Sequence, residues 1–122
     1  MSAITWFEIP VVDMERAKKF YSEVLDIEFI PYDTGEQPMS MVMFPDRGGV
    51  GGALVQNEQG YVPSQEGSIV YLFVEDDLNI PLGRVEKAGG KVLMPKMDTG
   101  GHGFAAWMLD SEGNRVGLHS MK

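Results

Sequence analysis

Ile4-Thr-Trp-Phe-Glu-Ile-Pro-Val-Val-Asp13 reads as an apolar strand running into a helix, and the chain repeats the pattern 63 residues later. Gly67-Ser-Ile-Val-Tyr-Leu-Phe-Val-Glu-Asp76 is the second copy, with Val11 falling on Val74 and Asp13 on Asp76. Outward from there the register holds: Glu28-Phe-Ile30 falls on Lys91-Val-Leu93, and Met41-Val-Met-Phe44 on Phe104-Ala-Ala-Trp107. One more residue in the second copy's turn makes the shift 64, and Gly52-Ala-Leu54 then falls on Val116-Gly-Leu118. A repeat of this period dictates architecture. The expected fold is α+β: two tandem βαβββ modules within a single domain, residues 1–57 and 68–122, joined by a linker over 58–67.

Local signals fill in each module. Residues 3–10 predict a strand buried on both faces. Asp13 is a good N-cap for a helix from Met14 to Leu25, whose apolar stripe is Ala17, Phe20, Tyr21, Val24 and Leu25. Asp26 ends it, and strands are expected over 27–32, 40–44 and 51–56, with turns at 33–38 and at Asp46-Arg-Gly-Gly49. The second module predicts a strand over 69–74 and a helix from Asn79 to Ala88. Pro81 falls in that helix's first turn, and Gly89-Gly90 forms its cap. Further strands are expected over 91–94, 104–109 and 115–119, the last two joined by a hairpin in which Gly113 takes positive φ.

Composition narrows the function classes. The 122 residues make one ordinary domain, and modules of about 60 residues are marginal alone, which favours a shared core and a homodimer. A net charge of −8 and a pI near 4.6 argue against a nucleic-acid partner. The apolar runs are strand-length, so no membrane partner is expected. Met1-Ser-Ala leads straight into a strand, so no secretory signal is expected and a cytoplasmic location is. Without cysteine there is no thiol nucleophile and no thiolate metal site, and His102 and His119 are too few for a three-histidine centre. Gly48-Gly-Val-Gly-Gly52 opens a strand, not a helix, and so is no phosphate cradle.

Three motifs carry a resemblance over nearly the whole chain. Val11-Val-Asp-Met-Glu-Arg-Ala-Lys-Lys-Phe-Tyr21 with Val24-Leu25-Asp26, then Ala88-Gly-Gly-Lys-Val92, then Asp110-Ser-Glu-Gly-Asn114 resemble the framework motifs of the vicinal oxygen chelate superfamily. That superfamily includes glyoxalase I, bleomycin-resistance and fosfomycin-resistance proteins and extradiol dioxygenases. The resemblance implies a half-open barrel with a cleft between modules, and a divalent metal held from four strand positions. Carried onto this sequence, those positions are Trp6, Ala53, Ile69 and Gly117, none of which offers a metal donor. The metal cofactor is therefore not expected.

Side chains two apart on a strand share a face, which adds Glu8, Val55, Tyr71 and His119 to the inward set. The candidate ligand-binding residues are Trp6, Ala53, Val55, Ile69, Tyr71, His102 and Gly117; the candidate catalytic pair is Glu8 with His119. Methionines at 39, 41, 43, 94, 97 and 108, with Phe44, Phe104 and Trp107, could line an adaptable apolar cavity. Two functions from different classes follow. One is a bleomycin-resistance-like protein binding a small, partly apolar molecule without metal. The other is a glyoxalase-like lyase or isomerase with a relocated site at Glu8, His119 and His102. A scaffold without a ligand is the weaker third reading.

Overall fold

The protein is described here from a computed structural model, which covers residues 3–31, 40–45 and 48–122. Each half of the chain builds a four-stranded sheet with a helix on one face. The first holds β1 (Trp6–Pro10), β2 (Ile30–Pro31), β3 (Ser40–Met43) and β4 (Gly51–Gln56), with α1 (Met14–Leu25) following β1. The second holds β5 (Tyr71–Val74), α2 (Asn79–Leu82), β6 (Lys91–Asp98), β7 (Phe104–Leu109) and β8 (Arg115–Ser120). The strand orders are β1-β4-β3-β2 and β5-β8-β7-β6, so the βαβββ unit occurs twice. In each unit the first strand pairs parallel with the last, Glu8 opposite Ala53 and Tyr71 opposite Gly117.

Helix α1 forms for the reasons its sequence announces. The Asp13 carboxylate accepts from the Arg16 backbone N–H at 3.1 Å, and Asp26 closes the helix with φ 56°. Its stripe of Ala17, Phe20, Tyr21 and Val24 is fully buried. Those side chains meet Ile9 and Leu54 from the first sheet and Leu72, Met108 and Leu118 from the second, so the two units share one core. Small modules gain burial this way that neither has alone.

The turn over 110–114 locks the units together. Asp110 accepts from the backbone N–H groups of Glu112 and Asn114, and from the buried Tyr21 hydroxyl at 2.6 Å. Asn114 Nδ2 donates to the Pro10 carbonyl at 2.7 Å. Burial first, and then Asp110, raise the Tyr21 hydroxyl pKa well above its ordinary value, which keeps it a donor. Gly113 takes φ 98°, as the hairpin requires.

Five expectations need correction. Strand β1 is half-exposed, since its outer face has no helix over it. Helix α2 closes at Leu82 instead of Ala88. Gly83, a poor helix former, caps the helix, and the chain tightens into Arg84 N–H to Pro81 and Val85 N–H to Leu82 bonds. Strand β2 shrinks to two residues at Pro31, and β5 begins at Tyr71. Strand β6 instead runs four residues past Met94, through Pro95. A sheet edge tolerates a proline, and register shifts fall either side of Met94. Tyr32, the 33–38 turn, Met39, Asp46 and Arg47 lie outside the described residues.

Candidate functional site

The face of each sheet away from the helices was expected to close against the other within the chain. It does not bury its large residues: Trp6 is 42% exposed, Tyr71 47% and Phe73 55%. On the second sheet this face carries an ordered aromatic row. The Tyr71 ring lies across Gly117, where an added Cβ would stand 2.3 Å from its Cδ1. Trp107, on the other side of Gly117, donates its indole N–H to the Tyr71 hydroxyl at 2.7 Å. The Arg115 guanidinium stacks on Trp107, 4.9 Å from the ring centroid. Phe73 lies beside His119 at 6.1 Å between centroids.

Between the units opens a cavity of about 700 Å³. Its walls are Phe7 from β1, Phe44 and Val50 around the β3–β4 connection, Tyr71 and Phe73 from β5, and Ile80 from α2. Phe7 and Phe44 stand 5.4 Å apart and continue inward to Tyr21 and Phe29, so the wall is anchored in the core. Strands β1 and β5 are both sheet edges, which is why a gap can exist between them.

The structure places the sequence-derived candidates as follows. Tyr71 lines the cavity. Trp6 sits on the exposed face of β1 over Gly51. Ala53 and Val55 are fully buried, Gly117 is buried under Tyr71, and Ile69 is half-buried just before β5. His102 is exposed in a loop whose Gly100, Gly101 and Gly103 all have positive φ. Glu8 and His119 hold different hydrogen-bond partners. Glu8 accepts from the Tyr61 hydroxyl at 2.6 Å and from Trp6 Nε1 at 3.3 Å, and its hydrogen bond raises the Tyr61 pKa. His119 Nε2 lies 2.6 Å from the His102 carbonyl, fastening that loop to β8. Glu8 instead shares a second cavity, of about 140 Å³, with Asn114 and Arg115.

Residues that sequence reasoning missed are Phe7, Phe73 and Arg115. Parity on β8 signals Arg115, two residues from Gly117. Parity also signals Phe73, two residues from Tyr71 on β5, whereas Phe7 had no signal of its own, because strand-edge approach is a property of the assembled fold.

A family model described as Glyoxalase/Bleomycin resistance protein/Dioxygenase superfamily matches residues 3–118. The chain belongs to that superfamily. A glyoxylase-like domain-containing protein from Didymella fabae is 33% identical over 120 residues, covering 91% of this chain and 88% of the relative. The solved structure of a glyoxalase/bleomycin resistance protein from Albidiferax ferrireducens matches with a TM-score of 0.75 at 19% identity, over 98% of this chain and 99% of that one. An antibiotic binding protein from Streptomyces sp. matches with a TM-score of 0.65 at 24% identity, over 98% and 96%. The two structural likenesses show the glyoxalase-like fold.

The divalent metal that the superfamily implies does not fit the residues present. Trp6, Ala53, Ile69 and Gly117 offer indole, methyl, sec-butyl and hydrogen, and a hard cation needs several oxygen or imidazole donors. The space at Gly117 is filled by the Tyr71 ring. Among the described residues, no group of three or more His, Asp and Glu side chains is placed to hold an ion.

Proposed function

We propose that this protein binds a small, partly apolar molecule without a metal, in the cavity between its two units. The observation that carries the reading is the cavity itself. About 700 Å³ lies within the range of small-molecule sites, and the lining combines the aromatic Phe7, Phe44, Tyr71 and Phe73 and aliphatic side chains with a set of charged ones. Tyr71 and Phe73 present broad exposed surface there, and aromatic rings bind planar guests by offset stacking at low entropy cost. That one structural relative is an antibiotic binding protein agrees with this reading.

Calorimetric titration with a panel of neutral planar aromatics, such as naphthol, flavone and anthraquinone, tests it. Saturable 1:1 binding is expected for at least one, weakened about tenfold by Phe73→Ala, an exposed change that leaves the core intact. No heat from any member of the panel would count against binding here.

A homodimer belongs to the same proposal, and so does a cytoplasmic location. The exposed Trp6 lies on a sheet face with no helix over it, and a second copy would cover it. Light scattering coupled to gel filtration should give twice the chain mass of 13.5 kDa, and a monomer at every concentration would refute this part. Among the described residues no helix is long and apolar enough to cross a membrane. The lyase or isomerase reading has Glu8 and His119 as its acid–base pair, and each of these holds a different partner.

A further inference from the structure

The cavity has a charge pattern that an apolar reading leaves unused. Its lining includes four carboxylates, Asp26, Glu75, Asp76 and Asp77, against one guanidinium, Arg84. That guanidinium is already engaged, since Arg84 Nη1 donates to the Val24 carbonyl at 3.3 Å. Asp77 is also engaged: it accepts from Lys96 at 2.9 Å and from the Asn79 N–H, which hold its carboxyl below the usual range. Asp76 lies 3.9 Å from Lys122, with both side chains well exposed. Asp26 and Glu75 have no hydrogen-bond or ion-pair partner among the described residues.

An occupant therefore meets two uncompensated carboxylates and the aromatic rings of Phe7, Phe44, Tyr71 and Phe73. Ring faces carry the negative part of the aromatic quadrupole, so both elements attract positive charge. The protein already seats cations in this way twice. Lys96 Nζ stands 4.3 Å from the Phe104 ring centroid, and Arg115 covers Trp107. A carboxylate-bearing guest would meet repulsion instead, with its desolvation uncompensated.

We propose that the cavity selects planar aromatic cations, with the ring against Tyr71 and Phe73 and the positive charge toward Asp26 and Glu75. The inference rests on the small-molecule reading of the same cavity and adds the sign of its ligand.

Three probes of matched size separate the two claims: N-methylquinolinium, neutral naphthalenemethanol and anionic naphthoate, titrated calorimetrically at 20 mM and 300 mM salt. The cation is expected to bind about tenfold more tightly than the neutral probe at low salt, with naphthoate weakest. That preference should shrink at high salt, because the carboxylates are at the surface. Asp26→Asn combined with Glu75→Gln should weaken the cation about fivefold and leave the neutral probe unchanged; both positions are exposed, so folding is preserved. Equal affinity for cation and neutral probe, or indifference to the double substitution, overturns the charge selectivity while the small-molecule reading stands. If no probe saturates, both are overturned.

Discussion

Glu112→Ala is expected to lower stability at pH 7 by about 3 kcal/mol. The position looks like a surface turn, yet the side chain is completely shielded. Its Oε1 accepts from the backbone N–H groups of Val12 at 2.8 Å and Asp13 at 2.7 Å, the entry to α1. Arg16 adds Nε to Oε2 at 2.7 Å and Nη2 to Oε1 at 3.1 Å, and Ser111 donates to Oε2. A carboxylate at a helix N-terminus also meets the positive end of the helix dipole. Removing it strands two backbone donors and a guanidinium and unfastens the second unit from the first.

The acid limb of stability identifies the same group. Burial alone would raise the Glu112 carboxyl, but the bonds from Arg16, Asp13, Val12 and Ser111 outweigh it and hold the pKa at about 2, against an ordinary 4.5. A depressed carboxylate contributes its stability above the unfolded value and loses it as pH falls through the folded one. The window is therefore pH 4.5 down to about 2. Urea unfolding at pH 7, 4.5 and 2.5 should show the wild-type chain losing more stability across that window than Glu112→Gln, by about 2 kcal/mol. Parallel curves for the two proteins would show that the clasp is not electrostatic.

Most of the framework could be read from the chain because its causes are local. The 63-residue shift, the Asp13 cap and the stripe of Ala17, Phe20, Tyr21 and Val24 depend on neighbours a turn or a strand away. Strands β4 and β7 fall beside the turns that were expected to bound them, for the same reason. The site was legible only by face. Parity places Trp6 and Glu8 together, but it cannot say that edges β1 and β5 flank a cavity or that Phe7 and Phe73 reach it. Nor can parity pair Glu8 with Tyr61, a linker residue with no periodicity to interpret. Glu112 was passed over as turn chemistry because its backbone donors lie 99 and 100 residues earlier.

Gly117, one of the four positions that the resemblance assigns to metal ligands, gives the second large effect. Gly117→Ala is expected to cost about 2 kcal/mol, although the backbone there has no need of glycine's positive φ. The penalty is steric: the new methyl would stand 2.3 Å from Tyr71 Cδ1 and 2.5 Å from Cε1, so the ring must leave. With it goes the bond from Trp107 Nε1, and tryptophan emission should shift as the indole N–H turns to water. Tyr71→Ala alone removes a half-exposed ring and opens the space. Alanine at 117 should then be tolerated, so the double variant should be more stable than the sum of the single changes predicts, by about 1–2 kcal/mol. Additive effects in urea unfolding would mean that the ring does not rest on Gly117. Gly117→Glu restores a carboxylate where metal-dependent relatives are expected to hold one, yet it meets the same ring, with Trp6, Ala53 and Ile69 still lacking donors. It should therefore destabilise at least as much as alanine and bind no nickel or zinc in equilibrium dialysis.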